Sequence, residues 1–155
     1  MGLVRVYVPY TLDRLATVLR DEVVGPAPFT AFAVTPAVAA ATPDADLEER
    51  EHLATLAAAH ASLAQLVADP AAGWRRVVLA LDVDAAAIGP AVASADPSAV
   101  EVLAEVPVAR VAAVLVDEPA AQAQVAVAAQ TRDLDGMDDV DLLWFAPSEL
   151  VALLH

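Results

Sequence analysis

Hydrophobic positions alternate in several short runs of the chain and recur at helical spacing in longer ones. From Leu3 to Val8 the alternation puts Val4, Val6 and Val8 on one face and Leu3, Arg5 and Tyr7 on the other, which predicts an opening strand. Thr11 is placed to cap a helix carrying Leu12, Leu15 and Leu19. Gly25-Pro26-Ala27-Pro28 breaks the chain before a short apolar strand, Thr30 to Thr35. The longest helix is predicted from Asp46, with Glu49 three residues on, to about Ala68. Along it Leu53, Leu56, His60, Leu63 and Val67 form one stripe predicted to be buried, while Glu48, Glu51, Thr55 and Ser62 face water.

The strongest strand signal is Arg75 to Val83. Val77, Leu79, Leu81 and Val83 share one face, and Arg76, Val78, Ala80 and Asp82 the other. Residues 84–98 read as a loose connection. Further strands are predicted at 100–106, 111–116 and 142–145, a helix at 120–129, and a terminal helix from Pro147. Asp133 to Asp141 holds five aspartates in nine residues and reads as a solvated loop. Four times a strand meets a proline: Val8-Pro9, Thr35-Pro36, Glu118-Pro119 and Ala146-Pro147. Proline costs little in the first turn of a helix, so these corners predict four β-α units and some parallel pairing. Charge on alternate positions (Arg76 and Asp82, then Glu101 and Glu105) argues against strands buried on both faces. The expectation is α/β (α+β): a two-layer sandwich with a mixed five- to six-stranded sheet and helices mainly on one face, in one domain over residues 1–155.

Composition narrows the chemistry. The chain has 155 residues, 38 of them alanine, no cysteine, no lysine, five glycines and a net charge of −14. Without cysteine or lysine there is no thiol nucleophile, disulfide, thiolate metal site or Schiff-base amine. The charge argues against a nucleic-acid partner, because that affinity comes from cations neutralising phosphates. Prolines interrupt the longest uncharged stretch, 23–43, which excludes a membrane span there. No secretory signal is read at the start, so a cytoplasmic location is expected.

Arg5-Val6-Tyr7-Val8-Pro9, Thr30-Ala31-Phe32-Ala33-Val34-Thr35-Pro36, Arg75-Arg76-Val77-Val78 and Leu142-Leu143-Trp144-Phe145-Ala146-Pro147-Ser148-Glu149-Leu150 span nearly the whole chain. In that order they resemble an actinobacterial family of small acidic single-domain proteins, catalogued only as a domain of unknown function. The resemblance implies a single cytoplasmic domain and brings no activity, ligand or catalytic residue.

Asp82 and Asp84, two residues apart at a strand end, resemble the first motif of haloacid-dehalogenase-type phosphotransferases, in which one Asp is nucleophile and the other general acid. Ala85-Ala86-Ala87 stands where Gly-Thr is expected, and there is no phosphate-neutralising lysine. The plain alternative is two acids marking a strand's exit into solvent. If the strands were parallel neighbours, Asp82, Asp84, Asp117 and Glu118 could converge on a divalent cation. Residues 131–142 do not fit a calcium loop, because Thr131 and Leu142 fall at ligand positions. His52, His60 and His155 are too scattered for zinc, and Ser62, Ser94, Ser98 and Ser148 lack a nucleophile elbow. Tyr7, Tyr10 and Thr11 sit at the end of the first strand, where open α/β sheets often bind ligands.

No cofactor is expected. The leading expectation is a non-enzymatic regulatory or protein-interaction module. A homo-oligomer or protein partner would engage an open sheet face bearing Leu3, Tyr7, Val78, Ala80 and Leu103. The alternative is a small metal-dependent hydrolase or phosphotransferase using Asp82 and Asp84.

Overall fold

The computed structural model describes residues 2–91, 94–132, 137 and 140–154. Among them nine strands and five helices are defined: β1 (Leu3–Tyr10), α1 (Leu12–Asp21), β2 (Val23–Val24), β3 (Phe29–Phe32), α2 (Pro36–Ala41), α3 (Leu47–Ala68), β4 (Val77–Asp84), β5 (Ile88–Pro90), β6 (Ala99–Val102), β7 (Val106–Pro107), β8 (Val111–Asp117), α4 (Gln122–Thr131), β9 (Leu142–Phe145) and α5 (Leu150–Leu153). Seven strands form one sheet in the order β5-β6-β3-β1-β4-β8-β9, and β2 pairs with β7 in a small second sheet. The acidic loop at 133–141 falls largely outside the described residues, although Met137 within it is buried.

Every pair of neighbours is antiparallel. This corrects the expectation of a mixed five- to six-stranded sheet, and the reason lies in β1. β3 and β4, joined through α2 and α3, run the same way, but β1 lies between them and opposes both. Prolines do open α2 and the turns leading into α4 and α5, at Pro36, Pro119 and Pro147. Pro9 instead stays inside β1, opposite Val78. It is tolerated there because β3 pairs with β1 at Tyr7 and does not extend to Pro9, so the missing N–H costs no ladder bond on that side.

Alternation correctly sorts the faces of the central strands. Val6, Val8, Leu79, Leu81, Val114 and Val116 share one core with Leu15 and Val18 of α1 and Leu150 of α5. Tyr7, Val78, Ala80 and Ala113 share a second core with Phe32 and with Ala54, Ala58 and Ala59 of α3. Helices therefore lie against both faces, not mainly one. The face expected to be open is covered at its centre: Tyr7, Val78 and Ala80 lie beneath α3 and are not available to a partner, while Leu3 and Leu103 stay exposed.

The caps agree with the sequence. Thr11 accepts from the Arg14 N–H at 3.3 Å and Asp46 from Glu49 N–H at 2.8 Å, each closing a helix start. The burial of α3 agrees only in part, for Leu63 is buried and Glu48 exposed as expected, while the rest of the stripe is turned away. Its buried residues are Ala54, Ala58, Ala59, Ser62, Leu63 and Leu66, whereas Leu53 is 42% exposed and Val67 37%. The inward face lies roughly a third of a turn from the leucine stripe. Small residues win that face because the sheet supplies the bulk, with Tyr7 and Phe32 packing against the alanines. Leu63 and Leu66 instead pack against Val125, Ala128 and Ala129 of α4.

Ser62, expected in water, is fully buried. Its hydroxyl donates to the Tyr10 carbonyl at 2.8 Å and accepts from the Val77 N–H at 3.0 Å. Tyr10 and Val77 are register partners, so the hydroxyl stands inside the β1–β4 ladder at its last rung. Ser62→Ala strands both backbone groups and is expected to cost about 2–4 kcal/mol in urea unfolding. Leu53→Ala, on the exposed side, is expected to stay within about 0.5 kcal/mol of the parent.

Candidate functional site

The antiparallel β4–β8 pair separates the carboxylates singled out by sequence. Asp117 lies beside Arg76 at the start of β4, whereas Asp82 and Asp84 lie at its far end. Six residues of strand put the two groups about 20 Å apart. The structure does not bring the four acids together, and no group of three or more His, Asp or Glu among the described residues could hold a metal ion.

Asp82 is held by Arg5, its cross-strand partner, through Nε at 2.8 Å and Nη2 at 3.4 Å. This pairing, with the burial pressure on Arg5 outweighed by its hydrogen bond to Asp82, raises the arginine above its ordinary pKa. Asp82 and Asp84 border a cleft of about 190 Å³ shared with Glu105 and Arg110. Asp84 and Glu118 are exposed. Tyr10 is buried, with its hydroxyl donating to the Gly25 carbonyl at 3.3 Å and Arg14 stacked over its ring at 4.1 Å. The Tyr10 side chain at the end of β1 is thus enclosed in structure.

Asp117 is fully buried, and so is Arg76 at 1% exposure. The Asp117 carboxylate accepts from the Arg76 backbone N–H at 2.8 Å, from Nε at 2.9 Å and from Nη2 at 2.8 Å. Arg76 Nη2 also donates to the Val140 carbonyl at 3.0 Å, and Arg75 Nε to the Asp117 carbonyl at 2.9 Å. The charge of Arg76 argues that this strand face is not buried, yet Arg76 is a buried ion in a bidentate pair. The two-residue pattern gave no sign of it, because alternation shows which face a charge is on and not what covers that face.

Arg76 is also among the residues lining a cleft of about 320 Å³ between α3 and the β8–β9 end of the sheet. Leu56, Leu115 and Leu142 supply apolar lining; His52, Thr55 and Asp141 supply polar groups. His52 is exposed and Leu56 half-buried, the consequence of the rotation of α3. Beside the cleft runs β9, an edge strand of the large sheet. Trp144 on it is 64% exposed and Leu143 40%. His60, in turn, lies half-buried in a separate pocket between α3 and α4 with Leu63, Val67 and Arg132.

Two tests follow from these environments. Asp117→Asn leaves a buried guanidinium without its charge partner and is expected to cost about 3–5 kcal/mol. The double change Arg76→Met with Asp117→Leu is expected to cost less than that single change, a comparison urea unfolding makes directly. Tyr7 is pushed above its usual 10.0 by burial first and by the Glu51 carboxylate second. Its contribution to stability is complete below the unfolded value and falls as pH rises past it, because the unfolded chain ionises first. Unfolding midpoints above about pH 10 should therefore decline less steeply in Tyr7→Phe than in the parent.

No helix among the described residues is long and apolar enough to cross a membrane. Comparison with curated proteins gives no match, and comparison with solved structures gives none either. A family model covers residues 4–154, from the first strand to the terminal helix. The chain belongs to a family of unknown function, DUF6912.

Proposed function

We propose that the protein is a non-enzymatic interaction module that docks an extended segment of another protein along the edge strand β9. The observation that carries this reading is Trp144: a large aromatic, mostly exposed, on an edge strand without charge or proline. Edge strands offer unpaired backbone groups, and proteins ordinarily blunt them with charge, proline or very short length. The opposite edge, β5, has such protection in Pro90 and is three residues long. β9 carries Leu143 and Trp144 on its two faces, so an added strand would find apolar contact on both.

Charge favours a basic segment. The chain is at −14 overall, and exposed Asp141 immediately precedes β9. A second copy is a weaker candidate: it brings the same charge, and two four-residue strands bury little against the roughly 1,200 Å² of a stable interface. The hydrolase alternative loses support from the Arg5 clamp on Asp82 and from the separation of the acids.

The test uses the two tryptophans. Trp74→Phe leaves Trp144 as sole reporter. A blocked octapeptide of alternating valine and threonine with lysines at both ends is expected to shift Trp144 emission to the blue, saturably. It should also slow amide exchange in residues 142–145. A glutamate-ended version should bind at least tenfold more weakly. Silence from both peptides sinks the reading, and a concentration-dependent dimer abolished by Trp144→Ala would put a second copy in the place of the foreign segment.

A further inference from the structure

We infer that the pocket between α3 and α4 is a binding site for a small monocarboxylate with an apolar tail. Three residues of the α3 stripe, His60, Leu63 and Val67, line this cavity of about 280 Å³ together with Ala128 and Ala129 of α4. Leu63 and the two alanines are buried, whereas Val67 is 37% exposed. Alanine is short, and at 64, 128 and 129 it leaves room between the two helices. An apolar cavity gains by enclosing an apolar occupant. Its size is at the small end for ligand sites, which suits a tail of about six carbons.

The head group follows from the charge of the lining. Arg132 lines the pocket, and none of the described residues lining it is a carboxylate. The chain has 22 acids against eight arginines, and other clefts reflect that excess. Asp82, Asp84 and Glu105 border one, Asp141 another, and Asp46, Glu48 and Glu49 a third at the start of α3. The Arg132 side chain makes no ion pair or hydrogen bond among the described residues. A cationic head would meet this arginine with no acid in the lining to offset it, whereas a carboxylate can pair with it.

The backbone adds a second observation. Arg132 ends α4 in the left-handed region, at φ 57° and ψ 25°, a place that ordinarily takes glycine. A cation suits the end of a helix on dipole grounds. That accounts for its charge and not for its place beside an apolar pocket. The net charge of −14 opposes an anion at long range. Salt screens exposed charges beyond about 8 Å, so the nearby arginine sets the preference. Trp144 and β9 take no part in this pocket, and the site does not rest on edge docking.

Hexanoate, hexanamide and hexylamine share one tail and differ in head charge, so they are the probes. Methyl NMR titrations are expected to show saturable hexanoate binding that moves the signals of Leu63, Val67 and Ala128. Hexanamide and hexylamine should bind at least tenfold more weakly. Arg132→Gly, which suits the left-handed backbone, should weaken hexanoate at least tenfold and leave the weak hexanamide binding unchanged. Ala64→Phe, on an exposed position of α3, should abolish hexanoate binding while the unfolding midpoint shows the protein still folded. Val67→Trp supplies a second pocket-filling change should the first not fold. The inference is overturned if hexanoate does not bind, if either other probe binds as tightly, or if Arg132→Gly keeps full hexanoate affinity.

Discussion

The buried pair of Arg76 and Asp117 is the constraint to which one end of this sheet is fitted. Bringing two ions out of water costs several kcal/mol each, and attraction alone does not reliably offset it. Here the cost is met by geometry. Asp117 accepts three hydrogen bonds from one residue, and Arg76 passes a fourth to Val140 just before β9. One carboxylate thereby ties the start of β4, the end of β8 and the approach to β9. A slip of one residue in any of these pairings would leave a bare charge in the core, so the pair specifies register more than it adds stability.

The other end of the same face is handled with less burial. Arg5 and Asp82 meet across β1 and β4 with side chains 42% and 33% exposed, where water shares the load. Between the two ion pairs, Tyr7, Val78 and Ala80 form the apolar floor on which α3 lies. A sheet face with charge at both ends and apolar residues between can thus be covered by a helix, provided the charges are paired before it arrives. The cleft lies at the Arg76 end, lined by Leu56 of α3 and Leu115 of β8.

How much of this could be read from the sequence differs by element. The edges of α3, the caps at Thr11 and Asp46, and Leu142–Phe145 were all legible, because capping chemistry and alternation are local. The inward face of α3 was not. In a chain with 38 alanines, leucine spacing no longer marks the buried side, since alanine can serve wherever the partner surface is bulky. Pairing direction was equally hidden, for the strand-proline-helix corners are compatible with β1 lying between β3 and β4. For the site, Asp82, Asp84 and Asp117 were visible as carboxylates, but their partners are cross-strand residues that no local spacing reveals. Trp144 was visible as an aromatic; its exposure depends on β9 being an edge.

The polar side of α3 completes the logic of β1. Past Tyr7 this strand has no pairing with β3, and Pro9 brings no donor of its own. The helix supplies what is missing: Gln65 donates to the Pro9 carbonyl at 3.2 Å and Ser62 to that of Tyr10. Gln65 Oε1 is left buried without a partner, so the arrangement is serviceable and not optimal. Ser62, expected on the solvent side of the helix, is therefore, with Gln65, what lets a proline-bearing strand end inside the core. Rotating α3 to bury Leu53 and Val67 would unseat both bonds, and the exposure of those two residues follows from keeping them.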